Sequence, residues 1–248
     1  MPEMLSFAQF RARKPFPLSP DLLQERGMTD TDQGSRGGGE ETRAALIRAA
    51  LVLFGRDGYA ATSTRAIAAL ANTNIASIAY HFGGKQGLRM ACAESIATRL
   101  GHVGGAAAGF DAEGDPARAQ AFLEGVIDRF IAEIIASHEG RSISSFVLRE
   151  VGEHSPVFDL LLKRIIGPIH GNLCRIFAAA AGTDPDSADT KLAVFALAGQ
   201  LLYFRIGQPI VLARMGWDAM GDPEIRELSR TMKINLAAMI AARKERPS

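Results

Sequence analysis

The chain has 248 residues and a formal net charge of +1, with 47% hydrophobic and 22% charged residues. These values are typical of a globular protein with more than one helical domain and exclude a disordered or fibrous chain. No apolar run is long enough to span a bilayer, and the N-terminus lacks the basic and apolar segments of a signal peptide, so we expect a cytoplasmic protein without a membrane partner.

Positive charge is concentrated in one part of the chain. Residues 41–101 contain seven Lys or Arg and three Asp or Glu, whereas residues 102–248 contain 16 basic and 18 acidic residues. A basic module attached to a slightly acidic body suits contact with phosphate at one end of the molecule.

Residues 1–39 are predicted to form a disordered tail. Prolines at positions 15, 17 and 20 precede a Ser-, Asp- and Gly-rich run that ends in three glycines. Met28 offers an alternative start, with residues 1–27 then untranslated. The first helix is predicted over 41–56, because apolar residues recur there at helical spacing and Gly58 follows.

Two short helices with a tight break are predicted between Thr62 and Leu88. Thr62 and Ser63 are helix-start residues, and Ile67 and Leu70 give the first helix an apolar face. The next segment, Asn72-Thr73-Asn74, suits a sharp turn and a cap for the second helix. Ile75 and Ile78 restart the helical period, and Gly83-Gly84 ends it. This arrangement is a helix-turn-helix over about 63–82, and its second helix can enter the major groove of DNA.

The segment resembles the tetracycline-repressor-like (TetR) transcription regulators. The resemblance covers about 41–100 and is carried by LFGRDGYAATS, by TRAIAALA and, most specifically, by IAYHFGGKQGL. Two positions depart from the family pattern: Asn72 replaces the usual turn glycine, and Ala79 replaces the first aromatic of a pair, so Tyr80 and His81 would have to supply the phosphate contact. The candidate DNA-binding residues are Thr62, Ser63, Thr64, Arg65, Asn74, Ile75, Ala76, Ser77, Tyr80, His81 and Lys85.

The remainder is predicted to be wholly helical, which makes the fold class all-α. A fourth helix over about 85–102 leads into a Gly- and Ala-rich stretch that we interpret as a domain boundary. The predicted domains are therefore a DNA-binding domain at 40–101 and a helical effector-binding and dimerisation domain at 110–245. Within the second domain Pro116 and Pro156 begin helices, and Pro168 is expected to interrupt one.

The second domain resembles the CecR-like branch of the same family. The resemblance is carried by SFVLREVGEHSPVFDLLLKRIIGPIH and LAGQLLYFRIGQPIVLARMGW. Polar groups inside these apolar strings suggest a small-molecule pocket, and Arg149 or Arg205 is expected to pair with Glu150 or Glu153 if the group is instead structural. The candidate effector-binding residues are Phe146, Arg149, Glu150, His170, Gln200, Tyr203 and Phe204.

No cofactor, metal or catalytic residue is predicted. Glu150 and His154 lack a third metal ligand, and Ser and Cys residues lie outside nucleophile motifs. Cys92 and Cys174 are expected to be buried free thiols.

A helix-turn-helix reads only half of a palindrome, so a homodimer is predicted. Its expected interface uses the helix around 192–202 together with Ile234, Leu236 and Met239, and the family resemblance implies a four-helix contact. The resulting hypothesis is a small-molecule-responsive repressor that binds double-stranded DNA. The alternatives are a DNA-binding regulator without a small-molecule effector and an all-helical enzyme.

Overall fold

The structure is a computed structural model that describes residues 36–245, apart from the side chains of residues 36, 37 and 102–106. Within that range every regular element is helical, which confirms the predicted all-α fold. The helices are α1 (Arg36–Asp57), α2 (Thr64–Leu70), α3 (Ala76–Phe82), α4 (Lys85–Ala108), α5 (Pro116–Phe130), α6 (His138–Glu153), α7 (Pro156–Leu161), α8 (Gly167–Ala181), α9 (Ala188–Ile206), α10 (Gln208–Met215) and α11 (Asp222–Lys244).

Two π-helical segments continue neighbouring α-helices. Ile131–Ala136 extends α5, and Leu162–Ile166 joins α7 to α8. Pro168 stands in the first turn of α8, where its missing N–H is tolerated. The interruption expected at this proline therefore appears as the π-helical segment immediately before it.

The local signals around the helix-turn-helix act as predicted. The hydroxyl of Ser63 accepts a hydrogen bond from the amide of Ala66 at 3.1 Å, and the side-chain oxygen of Asn74 accepts one from the amide of Ala76 at 2.8 Å. Asn72 has a φ of 50° and Gly83 a φ of 68°, so both adopt the left-handed conformation that these turns require. The cap and turn residues thus fix where α2 ends and α3 begins.

Helices α1 and α4 are both longer than predicted. Helix α1 begins at Arg36, five residues before the expected start, while residues 1–35 lie outside the described part of the chain. Helix α4 continues through the Gly- and Ala-rich stretch to Ala108. Its end is stabilised by Arg175 of α8, whose guanidinium donates to the carbonyls of Ala107 and Ala108 at 3.1 and 3.3 Å. Carbonyls at a helix end have no partner within the helix, and this distant arginine supplies one.

The first buried core joins the N-terminal helices to α6 and α7. Phe54 of α1, Ile67 of α2, Ile78 of α3 and Leu88 of α4 are all at most 2% exposed. Phe146 of α6 packs in the same core, with its ring centroid 6.4 Å from that of Phe54. The domain division at residue 101 stays a prediction, and this core crosses it.

The second core is formed by α5, α8, α9 and α11. Its buried residues include Leu123, Ile127, Phe177, Leu201 and Leu236. Cys92 lies in the first core and Cys174 in the second, and both thiols are free and buried as expected. Burial raises the pKa of the Cys174 thiol, so it resembles a small apolar group more than a nucleophile.

Helices α9 and α10 meet at a bend of 74° at Gly207. A Cβ at this position would lie 3.0 Å from the ring of Tyr203, so the close approach favours glycine. No single helix among residues 36–245 is long and apolar enough to cross a membrane, and the bent pair α9–α10 reaches that threshold only when both are taken together, by length and composition.

Candidate nucleic-acid interface

Most of the candidate DNA-contacting side chains of α2 and α3 face solvent. Ser63, Arg65 and Asn74 are exposed, and Thr64 and Ser77 are half-buried. Ile67 and Ile78 on the opposite faces are 0% and 2% exposed, so burial of the apolar faces orients the polar ones outward. The arrangement offers hydroxyl, guanidinium and amide groups to a partner.

The N-terminal turn of α3 projects from this surface. Ile75 is 47% exposed at its start, and Ala76 beside it is also exposed. The hydroxyl of Ser77 lies 3.4 Å from that of Thr73 in the preceding turn. A small or apolar side chain can meet a thymine methyl, and a hydroxyl can donate to a base edge or a phosphate.

The C-terminal half of α3 carries two aromatic side chains at the surface. Tyr80 is 85% exposed, which is unusual for a residue with a large apolar ring. His81 packs edge-on against it, with ring centroids 4.9 Å apart. Both have a polar group that can donate to phosphate.

Lys85 begins α4 and lies over the ring of Tyr59. Its Nζ is 4.3 Å from the ring centroid, and the guanidinium of Arg89 lies 4.3 Å from the same centroid. Burial lowers the pKa of Lys85, and the neighbouring charge of Arg89 lowers it further. Lys85 is nevertheless only half-buried, at a helix N-terminus where free N–H groups attract anions.

Thr62 is the exception among the candidate DNA-binding residues, because its side chain is 4% exposed. Its hydroxyl lies within hydrogen-bond distance of the carbonyl oxygens of Gly58, at 2.7 Å, and Leu53, at 3.2 Å. The side chain therefore fastens the loop before α2 to the end of α1, and its hydroxyl is not available to DNA.

Sequence reasoning missed the ion pair that connects this surface to α6. Nε of Arg89 donates to Oε1 of Glu150 at 2.8 Å, and the two side chains are 12% and 2% exposed. The hydroxyl of Ser155 donates to the other oxygen of the same carboxylate. Glu153 accepts a second bond from Arg89 at 3.3 Å.

The expected pairing of Arg149 or Arg205 with these two acids is wrong. Arg149 donates to the backbone carbonyl of Arg56 at 3.2 Å, and Arg205 bonds to Ile135 and Gln208. Glu150 and Glu153 are instead paired with an arginine more than 60 positions away in the sequence. The only sequence signal for Arg89 was its position one helical turn after Lys85.

The structure divides the seven candidate effector residues between two regions. Phe146, Arg149 and Glu150 lie on α6 beside the N-terminal helices. His170 of α8 stacks on Phe195 of α9 with centroids 3.8 Å apart. The other three lie on α9: Gln200 accepts from Asn235 at 2.9 Å, Tyr203 is 52% exposed, and Phe204 packs on the second core.

An open cleft of about 600 Å³ lies between α1, α4 and α6. Arg43, Glu94, Arg99 and Glu139 line it, and Arg99 and Glu139 form an ion pair of 2.5 Å across it. None of the seven candidate effector residues contributes to its wall. The sequence does not show which helix faces enclose a cleft, and no residue that lines this one was identified as a candidate from the sequence.

Two family models match separate segments of the chain. Residues 46–92 match the family described as bacterial regulatory proteins, tetR family, and residues 119–243 match the C-terminal domain of the HTH-type transcriptional dual regulator CecR. The CecR regulator of Shigella flexneri is 34% identical over 215 residues, which cover 84% of this chain and 95% of that protein. The probable HTH-type transcriptional regulator YttP of Bacillus subtilis is 45% identical over 47 residues, which cover 19% of this chain and 23% of YttP.

Solved structures share the fold. A putative fatty acid metabolism regulator from Clostridium perfringens superposes with a TM-score of 0.60 at 15% identity, covering 79% of this chain and 97% of that one. A putative TetR-family regulator from Mesorhizobium loti has a TM-score of 0.55 at 18% identity and covers 84% of this chain and 98% of that one. At these identities the likeness concerns the fold alone.

Proposed function

The chain belongs to the TetR family of transcriptional regulators, and from this premise we propose that it is a homodimeric repressor that binds a palindromic operator. A small molecule bound by the helical body would change its affinity for that operator. The matched relatives are transcriptional regulators, which favours this proposal over the enzyme alternative.

The observation that carries the proposal is the exposed N-terminal turn of α3. Asn74, Ile75 and Ala76 are exposed there, while Ile78 of the same helix is buried. A helix that presents its first turn in this way can enter the major groove and contact base edges. In the proposed complex Arg65, Ser77 and Ile75 face the bases.

The remaining candidates are assigned to the phosphate backbone. Ser63 and Thr64 start α2, Tyr80 and His81 end α3, and Lys85 starts α4. Contacts to phosphate fix the register of the protein on DNA without reading sequence. Two aromatic side chains, a lysine and the free N–H groups of a helix start are suited to this task.

Dimerisation is supported by an exposed apolar face on α9 and α11. Leu192 and Phe195 of α9 are 66% and 54% exposed, and Ile234 of α11 is 55% exposed. The hydrogen bond between Gln200 and Asn235 holds the two helices side by side. Large exposed apolar side chains are covered when such helices pair, and two helices from each copy would give a four-helix contact.

Two residues expected in the dimer interface face the interior of the monomer instead. Leu236 is 0% exposed, and Met239 packs against the second core. Ile234 lies on a different side of α11 and is the one of these three residues that is exposed to solvent. The face proposed for dimerisation is therefore narrower than the apolar content of α11 suggested.

The small molecule must bind the DNA-free and DNA-bound conformations with different affinities, because a ligand with equal affinity for both does not shift the equilibrium between them. The alternative of a regulator without a small-molecule effector predicts no such ligand.

A mobility-shift assay with the DNA upstream of the gene tests the function directly. A shifted complex at low salt that competitor DNA of unrelated sequence does not remove supports the proposal, and the absence of a complex at low salt contradicts it.

Replacing Lys85 with alanine is expected to weaken binding to every DNA sequence by a similar factor. Loss of one phosphate contact should also reduce the slope of log affinity against log salt by about one unit. Fluorescence anisotropy at several salt concentrations measures both quantities. The exposed Lys163, which lies between α7 and α8, provides a matched lysine-to-alanine control that should change neither. An unchanged salt slope in the Lys85 variant would refute the phosphate role.

Replacing Leu192 with aspartate is expected to weaken dimerisation at least about thirtyfold, the effect of losing about 2 kcal/mol at a central interface residue. Leu192 is 66% exposed, so its replacement should have little effect on the stability of the monomer. Analytical ultracentrifugation measures the dissociation constant. Leu162→Asp is the matched control, since Leu162 is 41% exposed but lies outside the α9–α11 face. A fully dimeric Leu192 variant would place the interface elsewhere.

A further inference from the structure

Arg205 near the end of α9 carries a buried charge that no carboxylate of the described residues neutralises. Its side chain is 8% exposed. Nη1 donates at 3.3 Å to the backbone carbonyl of Ile135 and at 3.3 Å to the side-chain oxygen of Gln208. Both acceptors are neutral, and among residues 36–245 no acidic side chain forms an ion pair with Arg205. A guanidinium in such surroundings retains a strong preference for an anion.

A second arginine reaches the same oxygen atom. Nη2 of Arg141, near the start of α6, lies 3.5 Å from the Gln208 oxygen that Arg205 also contacts. Two guanidinium groups thus converge on one neutral acceptor, and the described residues give Arg141 no carboxylate either. Like charges held this close repel each other unless an anion lies between them.

The donors needed for an anion are present. The hydrogen bonds that Arg205 forms with described residues both use Nη1, which leaves Nε and Nη2 as available donors. Gln208 is 8% exposed, and its side-chain oxygen accepts from both arginines. Arg141 is exposed, so the cluster is reachable from solvent. A forked guanidinium with adjacent free N–H groups matches the two oxygens of a carboxylate or phosphate.

We propose that Arg141, Arg205 and Gln208 form an anion-binding site for a small molecule that carries a carboxylate or phosphate group. This inference rests on the proposed function, because it assigns the chemical class of the effector. The oxyanion would bind between the two guanidinium groups, and the side-chain amide of Gln208 can donate to it after rotation.

The electrostatics agree with this assignment. Burial and, to a smaller extent, the nearby charge of Arg141 together lower the pKa of Arg205 to about 10. Both causes act against the charged form of the guanidinium. A bound anion would oppose both effects by favouring the charged guanidinium, which has no carboxylate partner among the described residues.

The site is connected to the DNA-binding surface through α6. Arg141 lies in the first turns of this helix, and Glu150 in its last turns pairs with Arg89 of α4. Arg89 in turn shares the ring of Tyr59 with Lys85. An anion that draws Arg141 towards Arg205 would act on the helix that holds this chain of contacts, which gives the ligand a physical route to different affinities in two states.

Isothermal titration calorimetry of the full-length protein without DNA tests the site directly. Sodium benzoate and inorganic phosphate serve as separate probes, with ionic strength held constant by sodium chloride. Saturable binding of either probe by the unaltered protein is expected. Arg141→Gln and Arg205→Gln should each weaken binding at least about tenfold, the factor for one lost charge-assisted hydrogen bond. Arg214→Gln, an exposed arginine on the adjacent α10, is the matched control and should bind normally.

The two probes distinguish carboxylate from phosphate ligands. Absence of binding, or equal binding by the Arg141 and control variants, overturns the site; Arg141 is exposed, so its replacement should leave folding intact. Because this titration contains no DNA, its outcome does not depend on operator binding. Mobility shifts repeated with the bound probe then test the effector role, and an operator affinity that the probe leaves unchanged overturns that role alone.

Discussion

Alanine at position 87 is expected to weaken operator binding at least about tenfold and to destabilise the fold by about 1–3 kcal/mol. Gly87 lies in the first turn of α4, where the chain passes the end of α3. A Cβ at this position would lie 1.8 Å from the carbonyl oxygen of Phe82 and 3.0 Å from its carbon. Backbone atoms cannot rotate away from such a clash, so the end of α3 or the start of α4 must move.

The movement would displace α3 and Lys85 together, which explains why an added methyl group should affect DNA binding at several contacts at once. Gly101→Ala provides the matched control, because it lies on the same helix with nothing within 4 Å of its added Cβ. That control should be neutral or slightly stabilising, since alanine favours a helix more than glycine does. Anisotropy titration and thermal unfolding measure the two effects. A Gly87 variant with normal affinity would show that this close approach does not position α3.

Replacing Glu150 with alanine is expected to lower the free energy of unfolding by about 3–5 kcal/mol. Glu150 is 2% exposed and accepts from both Arg89 and Ser155. Its removal leaves the guanidinium of Arg89, which is 12% exposed and lies over Tyr59, with only the weaker pair to Glu153. Chemical denaturation monitored by circular dichroism gives the change in unfolding free energy.

Glu153→Gln tests the same arginine from its exposed side. Glu153 is 45% exposed, and its bond to Arg89 is 3.3 Å long. The free energy of unfolding of this variant should therefore fall by at most about 1 kcal/mol. A similar loss in both variants would mean that Glu150 contributes as a surface charge and not as the buried partner of Arg89. A double-mutant cycle with Arg89→Met separates the energy of the pair from the effect of each truncation.

Local structure was the most predictable level of the fold. The Ser63 cap, the left-handed turn at Asn72 and the glycine stop at Gly83 each depend on residues within a few positions, and the structure confirms all three. The same applies to Pro116 and Pro156, which begin helices as expected. Such signals are read from residue type because the partner groups are adjacent backbone atoms.

Features that depend on distant residues were not predictable. The length of α4 depends on Arg175, which lies more than 60 positions after the carbonyls it stabilises. The partner of Glu150 is an arginine on another helix, while two arginines nearer to it in sequence bond elsewhere. Periodicity identifies the buried side of a helix but not the helix that covers it, so the candidate effector residues were assembled from two separate regions.

The contact between Arg175 and the C-terminal end of α4 has a consequence for the position of α3 on DNA. Helix α4 has 24 residues and is about 36 Å long. The guanidinium of Arg175 contacts its C-terminal end, and Lys85 lies at its N-terminal end. A tilt of about 5° about the Arg175 contact would move the Lys85 end by about 3 Å, close to the spacing of successive base pairs. A tilt that α6 and α7 follow through the first core would therefore shift α3 relative to its half-site by about one base pair.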